Sequence, residues 1–317
     1  MKTLLAATAI AIILTSNFAE AAMKKSVTFD SAGQTLAGDL YLPDSYSEGD
    51  QLPGVVVTGA WMTVKEQMAG TYAAELADRG YAALAFDFRG WGKSPDDIQF
   101  LENPARKTED INAAVNFLAR RPEIDSARIA GLGVCASAGY MSDAALQNAN
   151  IKSLTLVAPW LHDAEIVNAV YGGEEGVSGL IGIGRDSAQA DDPVILEAAS
   201  LTNENAVMYQ APYYTETDRG LIPEFDNKFN AASWEGWLTY DAIQTADRLE
   251  KPTLLVHSEA AAIPQGAQEY ANRMGENATA IWLPEIMQFD FYDRPDVVKT
   301  SADAVAKYLG ETLKLGK

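Results

Sequence analysis

The stretch from Arg128 to Tyr140 (Arg-Ile-Ala-Gly-Leu-Gly-Val-Cys-Ala-Ser-Ala-Gly-Tyr) constrains this chain more than any other. Ile129 to Val134 is apolar and glycine-rich without a helical period, the pattern of a short strand buried on both faces. From Ala136, through Met141, Ala144 and Leu146, the spacing becomes helical. The reversal between them falls on Gly133-Val134-Cys135-Ala136-Ser137. A strand that turns at once into a helix, with a nucleophile at its apex, needs small residues two before and two after that nucleophile. Bulk at either place collides with neighbouring backbone. Centred on Cys135, the places are filled by Gly133 and Ser137, with small Ala138 next. Centred on Ser137, they fall to Cys135 and Gly139, and Tyr140 crowds the helix start. Cys135 is the first candidate nucleophile. Ser137 is the alternative; its other role is that of a helix-start residue bonding nearby backbone.

A thiol suits such a turn. Unpaired N–H groups and the macrodipole at a helix N-terminus favour an anion, and a thiol there is expected to titrate lower than usual. Against this stands the commonest fate of a lone Cys, a small buried hydrophobe. Cys135 is the only cysteine of the chain, so no internal disulfide can form.

The N-terminus reads as an address. Lys2 precedes an apolar run from Leu4 to Leu14, and Ala19-Glu20-Ala21 offers a small-x-small cleavage site. Residues 1–21 are therefore expected to be a secretory signal peptide, too short for a membrane anchor, leaving a mature protein from residue 22 to 317 in the periplasm or outside the cell. The formal charge of −20 does not change on cleavage, because Lys2 and Glu20 leave together. Such acidity argues against nucleic acid and anionic membranes as partners.

Taken in order, Ser26–Phe29 and Thr35–Leu42 read as two antiparallel strands, and Leu52–Thr58 as a strand covered on both faces. A loop at Gly59-Ala60-Trp61-Met62 precedes a helix over about Val64–Arg79. Tyr81–Phe86 is a strand, Thr108–Ala119 a helix, and Ser153–Ala158 the strand after the elbow helix. From about residue 163 to 250 the alternation stops, and aromatic and acidic segments take over. It resumes with strand Thr253–His257, helix Pro264–Met274, strand Thr279–Leu283 and helix Asp296–Leu309. This pattern predicts an α/β fold: a doubly wound, mostly parallel sheet with a cap inserted between the sixth and seventh strands. Ligands in such sheets bind at the carboxyl ends of the strands, where Cys135, Ala60, Trp61, His162, Glu259 and the segment after Leu283 all fall.

Asp87-Phe88-Arg89-Gly90-Trp91-Gly92-Lys93-Ser94 matches a D-x-R-G-x-G-x-S loop. With the Cys135 elbow, Pro252–Glu259 and Phe289–Asp293, it makes the chain resemble an α/β hydrolase of the dienelactone-hydrolase-like family, which carries Cys at the elbow. The resemblance covers nearly the whole mature length. It implies acyl transfer through a covalent intermediate, with the oxyanion held by backbone N–H groups of Ala136 and of Ala60 or Trp61. The resemblance also implies an acid after the strand ending at His257. Ala260-Ala261-Ala262 stand there, and Glu259 is the one carboxylate present. Its base is a His after the last strand, where this chain has Gln288, which cannot take a proton. Of the two histidines, His257 reads as structural. His162 is a possible base for Cys135, its alternative being a hydrogen-bonded loop residue.

No cofactor or metal site is expected: one Cys and two separated histidines make no ligand cluster, and Gly90-Trp91-Gly92 lacks the context of a phosphate loop. Two functions follow. The first is an exported hydrolase of an ester, lactone or thioester. The second is a weak or inactive relative that binds a small apolar ligand and has lost turnover with the base.

Overall fold

The computed structural model of the protein describes residues 23–314; the expected signal peptide lies outside them. Eight strands form one sheet: β1 (Met23–Ser31), β2 (Gln34–Leu42), β3 (Leu52–Thr58), β4 (Ala82–Phe86), β5 (Ile124–Val134), β6 (Ile151–Val157), β7 (Thr253–His257) and β8 (Ala278–Trp282). Their order is β1-β2-β4-β3-β5-β6-β7-β8. The β1/β2 and β2/β4 pairs are antiparallel, and every later pair is parallel. The central strands are continuous apolar runs because helices cover both faces; β4 is buried at all five positions.

Five helices make these crossovers and the closing cover: α1 (Met68–Asp78), α2 (Pro104–Leu118), α3 (Ser137–Gln147), α7 (Pro264–Met274) and α8 (Pro295–Thr312). Between β6 and β7 lies the inserted cap. It carries α4 (Ala164–Val170), α5 (Gly173–Gln189) and α6 (Ser233–Leu238), with two small two-stranded ribbons.

Local chemistry moves some boundaries from the sequence expectation. The first helix starts at Met68 rather than Val64, because the preceding amides are committed elsewhere. Val64 N–H donates to Gln67 Oε1 (3.0 Å) and Lys65 N–H to Asp87 Oδ1 (2.7 Å). The second helix starts earlier, at Pro104, because the Asn103 side chain accepts the Arg106 N–H and caps it.

The Asp87–Ser94 motif is a brace. The buried Asp87 carboxylate also accepts from Lys65 Nζ (3.0 Å) and Lys93 N–H (3.0 Å). Ser94 Oγ donates to the Asp87 carbonyl (2.6 Å) and accepts the Ala37 N–H, and Arg89 Nε binds Asp110 (2.8 Å). Gly92 is required there: a Cβ would sit 2.6 Å from Asp87 Oδ2. The motif locks β2, β4 and the loop after β3 to one another and contributes no group to the cavity described below.

Candidate active site

Cys135 stands between the last residue of β5 and the first of α3, with φ of 57°. A non-glycine residue in the left-handed region is strained, and here the strand-to-helix reversal imposes it. Gly133 is indispensable to that turn, since a Cβ would lie 2.7 Å from the Ser137 carbonyl oxygen and 2.8 Å from Ala138 Cα. Ser137 is fully buried and its hydroxyl donates to the Val134 carbonyl (3.1 Å), so it braces the turn from behind. The elbow register is the one centred on Cys135.

The polar groups that face the sulfur are the Tyr292 hydroxyl, the N–H groups of Ala136 and Trp61, and the Gln288 carboxamide. None closes a full hydrogen bond to it among the described residues; each acts across a looser contact. Ala60 N–H is directed elsewhere, to Met68 Sδ (3.4 Å). Of the two loop amides considered from sequence, Trp61 is thus the one turned to the thiol.

The expectation of a lowered thiol pKa is corrected by the structure. Burial pushes the Cys135 thiol up to about 11, and the facing donors only partly offset it. The helix terminus is real, but the sulfur is buried, and removing water from an anion outweighs the local dipoles.

Gln288 occupies the centre of the remaining machinery. Its Oε1 accepts the Ala262 N–H (3.1 Å), and its Nε2 donates to the Ala158 carbonyl (2.9 Å) and to Tyr292 Oη (3.0 Å). The alanine turn after β7 therefore presents an amide donor where a carboxylate would stand beside a histidine. A carboxamide is what that turn accommodates. Tyr292, absent from the sequence expectation, joins the site through this bond. The aromatic cluster at Phe289–Asp293 was its only signal.

The other expected residues lie apart from the thiol. Glu259 is exposed and accepts from Gln268 (2.9 and 3.1 Å). His257 is buried beside Trp282 and Phe291, at ring distances of 5.6 and 6.3 Å. His162 Nδ1 accepts the Trp160 indole N–H (3.0 Å), and the ring meets Trp237 edge-on at 4.5 Å. His162 does not line the cavity, which Trp160 does. Burial pushes each histidine down to about 4, so both are neutral at pH 7.

The thiol lies in the wall of a cavity of about 430 Å³ between the sheet edge and the cap. Trp61, Trp160, Phe289 and Tyr292 line it from the core side; Val170, Tyr171, Met208, Tyr214, Trp234 and Trp237 line it from the cap. Among the described residues, no Asp, Glu, Lys, Arg or His contributes to the lining. A larger cleft of about 570 Å³, between α2, α3 and the chain after α6, is lined by charged Glu109, Asp143 and Arg248 and by neither Cys135 nor Ser137. The candidate nucleophile thus opens on the smaller, apolar cavity.

The chain has known relatives in sequence and in fold. Residues 55–182 match the family model described as serine aminopeptidase, S33. The Escherichia coli protein YcjY is 28% identical over 307 residues, covering 92% of this chain and all of that protein. The crystal structure of PA2218 from Pseudomonas aeruginosa superposes with a TM-score of 0.80 at 26% identity, over 96% of this chain and 100% of that one. Est1E from Butyrivibrio proteoclasticus with ferulic acid bound superposes at 0.62 and 17% identity, over 91% and 99%; at that identity the likeness is one of fold.

Proposed function

We propose that the chain is an α/β hydrolase, exported, and that it cleaves esters, lactones or thioesters through an acyl-thioester on Cys135. One observation carries this: the only thiol of the chain sits strained at an elbow, in the wall of a charge-free cavity, facing two backbone N–H groups. Sulfur attacks the carbonyl carbon while the carbonyl π pair moves onto oxygen, towards the N–H groups of Ala136 and Trp61. Collapse expels the alcohol or thiol, which leaves with the proton of Cys135, and water then releases the acid and restores the thiol. Preorganised donors supply most of the stabilisation in such steps. An uncharged apolar or aromatic acyl group matches the lining. Ser137 is the alternative nucleophile, and Glu259 and His162 keep no role in this mechanism.

The second reading is a binding protein of low or no turnover. Gln288 favours it, being held by hydrogen bonds where a base would stand. One experiment separates the two. The protein is given a panel of p-nitrophenyl esters and simple lactones beside Cys135→Ala and Ser137→Ala, with intact-mass detection of an acyl adduct. Turnover and an adduct lost only in Cys135→Ala support the hydrolase. Absence of both in the unaltered protein refutes it. Export is tested by N-terminal sequencing of the protein from fractionated cells, and a start upstream of Ala22 refutes cleavage after Ala21.

A further inference from the structure

The buried carboxylate of Glu102 lies outside the cavity, and nothing in the mechanism above uses it. Its side chain is completely inaccessible, and that of its partner Lys107 nearly so, at 0% and 3% exposure. Glu102 Oε2 accepts the Met62 N–H (3.0 Å) and Lys107 Nζ (2.8 Å), while Oε1 accepts the Tyr140 hydroxyl (2.9 Å). The Glu102 N–H donates to Ser233 Oγ (2.8 Å), at the start of α6 in the cap. The ammonium of Lys107 is enclosed by aromatic faces, 4.5 Å from Phe88 and 5.0 Å from Trp91. Two charges in such a place cost several kcal/mol of desolvation each, and a pure packing role would be served as well by apolar residues.

What the carboxylate joins gives the reason. Met62 has φ of 61°, a left-handed conformation that a side chain of its size resists. Its N–H lies on the peptide next to the one that carries the Trp61 N–H, with only the two backbone dihedrals of Trp61 between them, so anchoring it holds the loop backbone beside that donor. Tyr140 is one turn along α3 from Ala136. A single side chain thus ties the loop that carries one candidate oxyanion donor to the helix that carries the other. We propose that Glu102, balanced by Lys107, is the positioning residue that sets the separation of the Trp61 and Ala136 N–H groups. This inference rests on the oxyanion role proposed for those two amides.

The test uses two probes: a phenyl-substituted alkyl trifluoromethyl ketone and its alcohol. Sulfur adds to the ketone carbon, the C=O π pair becomes an alkoxide facing the two N–H groups, and the thiol proton passes to solvent. The alcohol fills the same cavity and needs no such donors. Glu102→Gln alone strands a buried ammonium, so the variants are the charge-free double Glu102→Gln/Lys107→Met and the single Tyr140→Phe, which leaves the ion pair intact. Calorimetry is expected to show the ketone binding about 10-fold or more weaker to the double variant and about 3-fold weaker to Tyr140→Phe, with alcohol affinity unchanged in both. Unchanged ketone affinity in both folded variants, or an equal loss for ketone and alcohol, overturns the positioning role. No ketone adduct on the unaltered protein overturns the acyl-transfer reading itself, and this inference with it.

Discussion

The reactivity of Cys135 against pH separates the two forces acting on the sulfur. Were the helix terminus dominant, the thiol would titrate at or below its ordinary value of about 8.5. Burial instead pushes it to about 11. At pH 8 a thiol of ordinary pKa is about one quarter thiolate, and one of pKa 11 about one part in a thousand. Because the chain has no other cysteine, methyl methanethiosulfonate reports this sulfur alone, and the denatured protein is its own reference. The modification rate of the folded protein is expected to rise about tenfold per pH unit from 7 to 10 without a plateau. Restricted access lowers every point equally, so the shape of the curve is the readout. Tyr292→Phe removes the donor that most offsets burial, and at pH 8 the rate should drop a further 3-fold or so. A curve that levels off by about pH 9.5 refutes the argument that desolvation outweighs the helix terminus.

Acid stability should follow from the histidines. Their folded pKa values, about 4, lie below the unfolded value of about 6.5. The unfolded chain therefore binds more protons between those limits; this stability is fully present above pH 6.5 and lost as pH falls to 4, by about 3 kcal/mol per histidine. His257→Phe should flatten the slope of urea stability against pH in that window, and an unaltered slope contradicts neutral burial. Gly133→Ala should destabilise the protein by about 2 kcal/mol, because its Cβ meets backbone at 2.7 and 2.8 Å; an unchanged melting temperature would show that the elbow can relax. Gln288→His should not raise kcat/KM on p-nitrophenyl esters. Ala262 N–H would claim one ring nitrogen as acceptor, leaving the other protonated towards Tyr292 and the thiol. A rise of about 100-fold would refute that reading of the turn.

Much of the framework was legible because it depends on local patterns. Apolar runs of five to seven residues alternating with amphipathic segments of helical length admit few packings, and the loss of that rhythm after Asp163 marked the cap. The elbow register was legible for a steric reason: only with Cys135 at the apex do Gly133 and Ser137 fall where the backbone leaves no room. Helix starts were less so, since Lys65 N–H is claimed by Asp87, a contact across 22 positions.

The site's chemistry was decided by tertiary structure. That Cys135 is an acid weaker than usual follows from a cap folding over it, and a pKa set by desolvation cannot be read from neighbours in the chain. His162 and Glu259 stand at the expected strand ends, yet side-chain direction turns one onto Trp160 and the other onto Gln268. Tyr292 reaches the sulfur's surroundings through Gln288, and Glu102 ties the loop after β3 to α3 and the cap from 38 to 131 positions away. Strands and helices answer to periodicity along the chain. The charge state of a thiol and the aim of an amide answer to what the folded chain brings beside them, and how much water it leaves there.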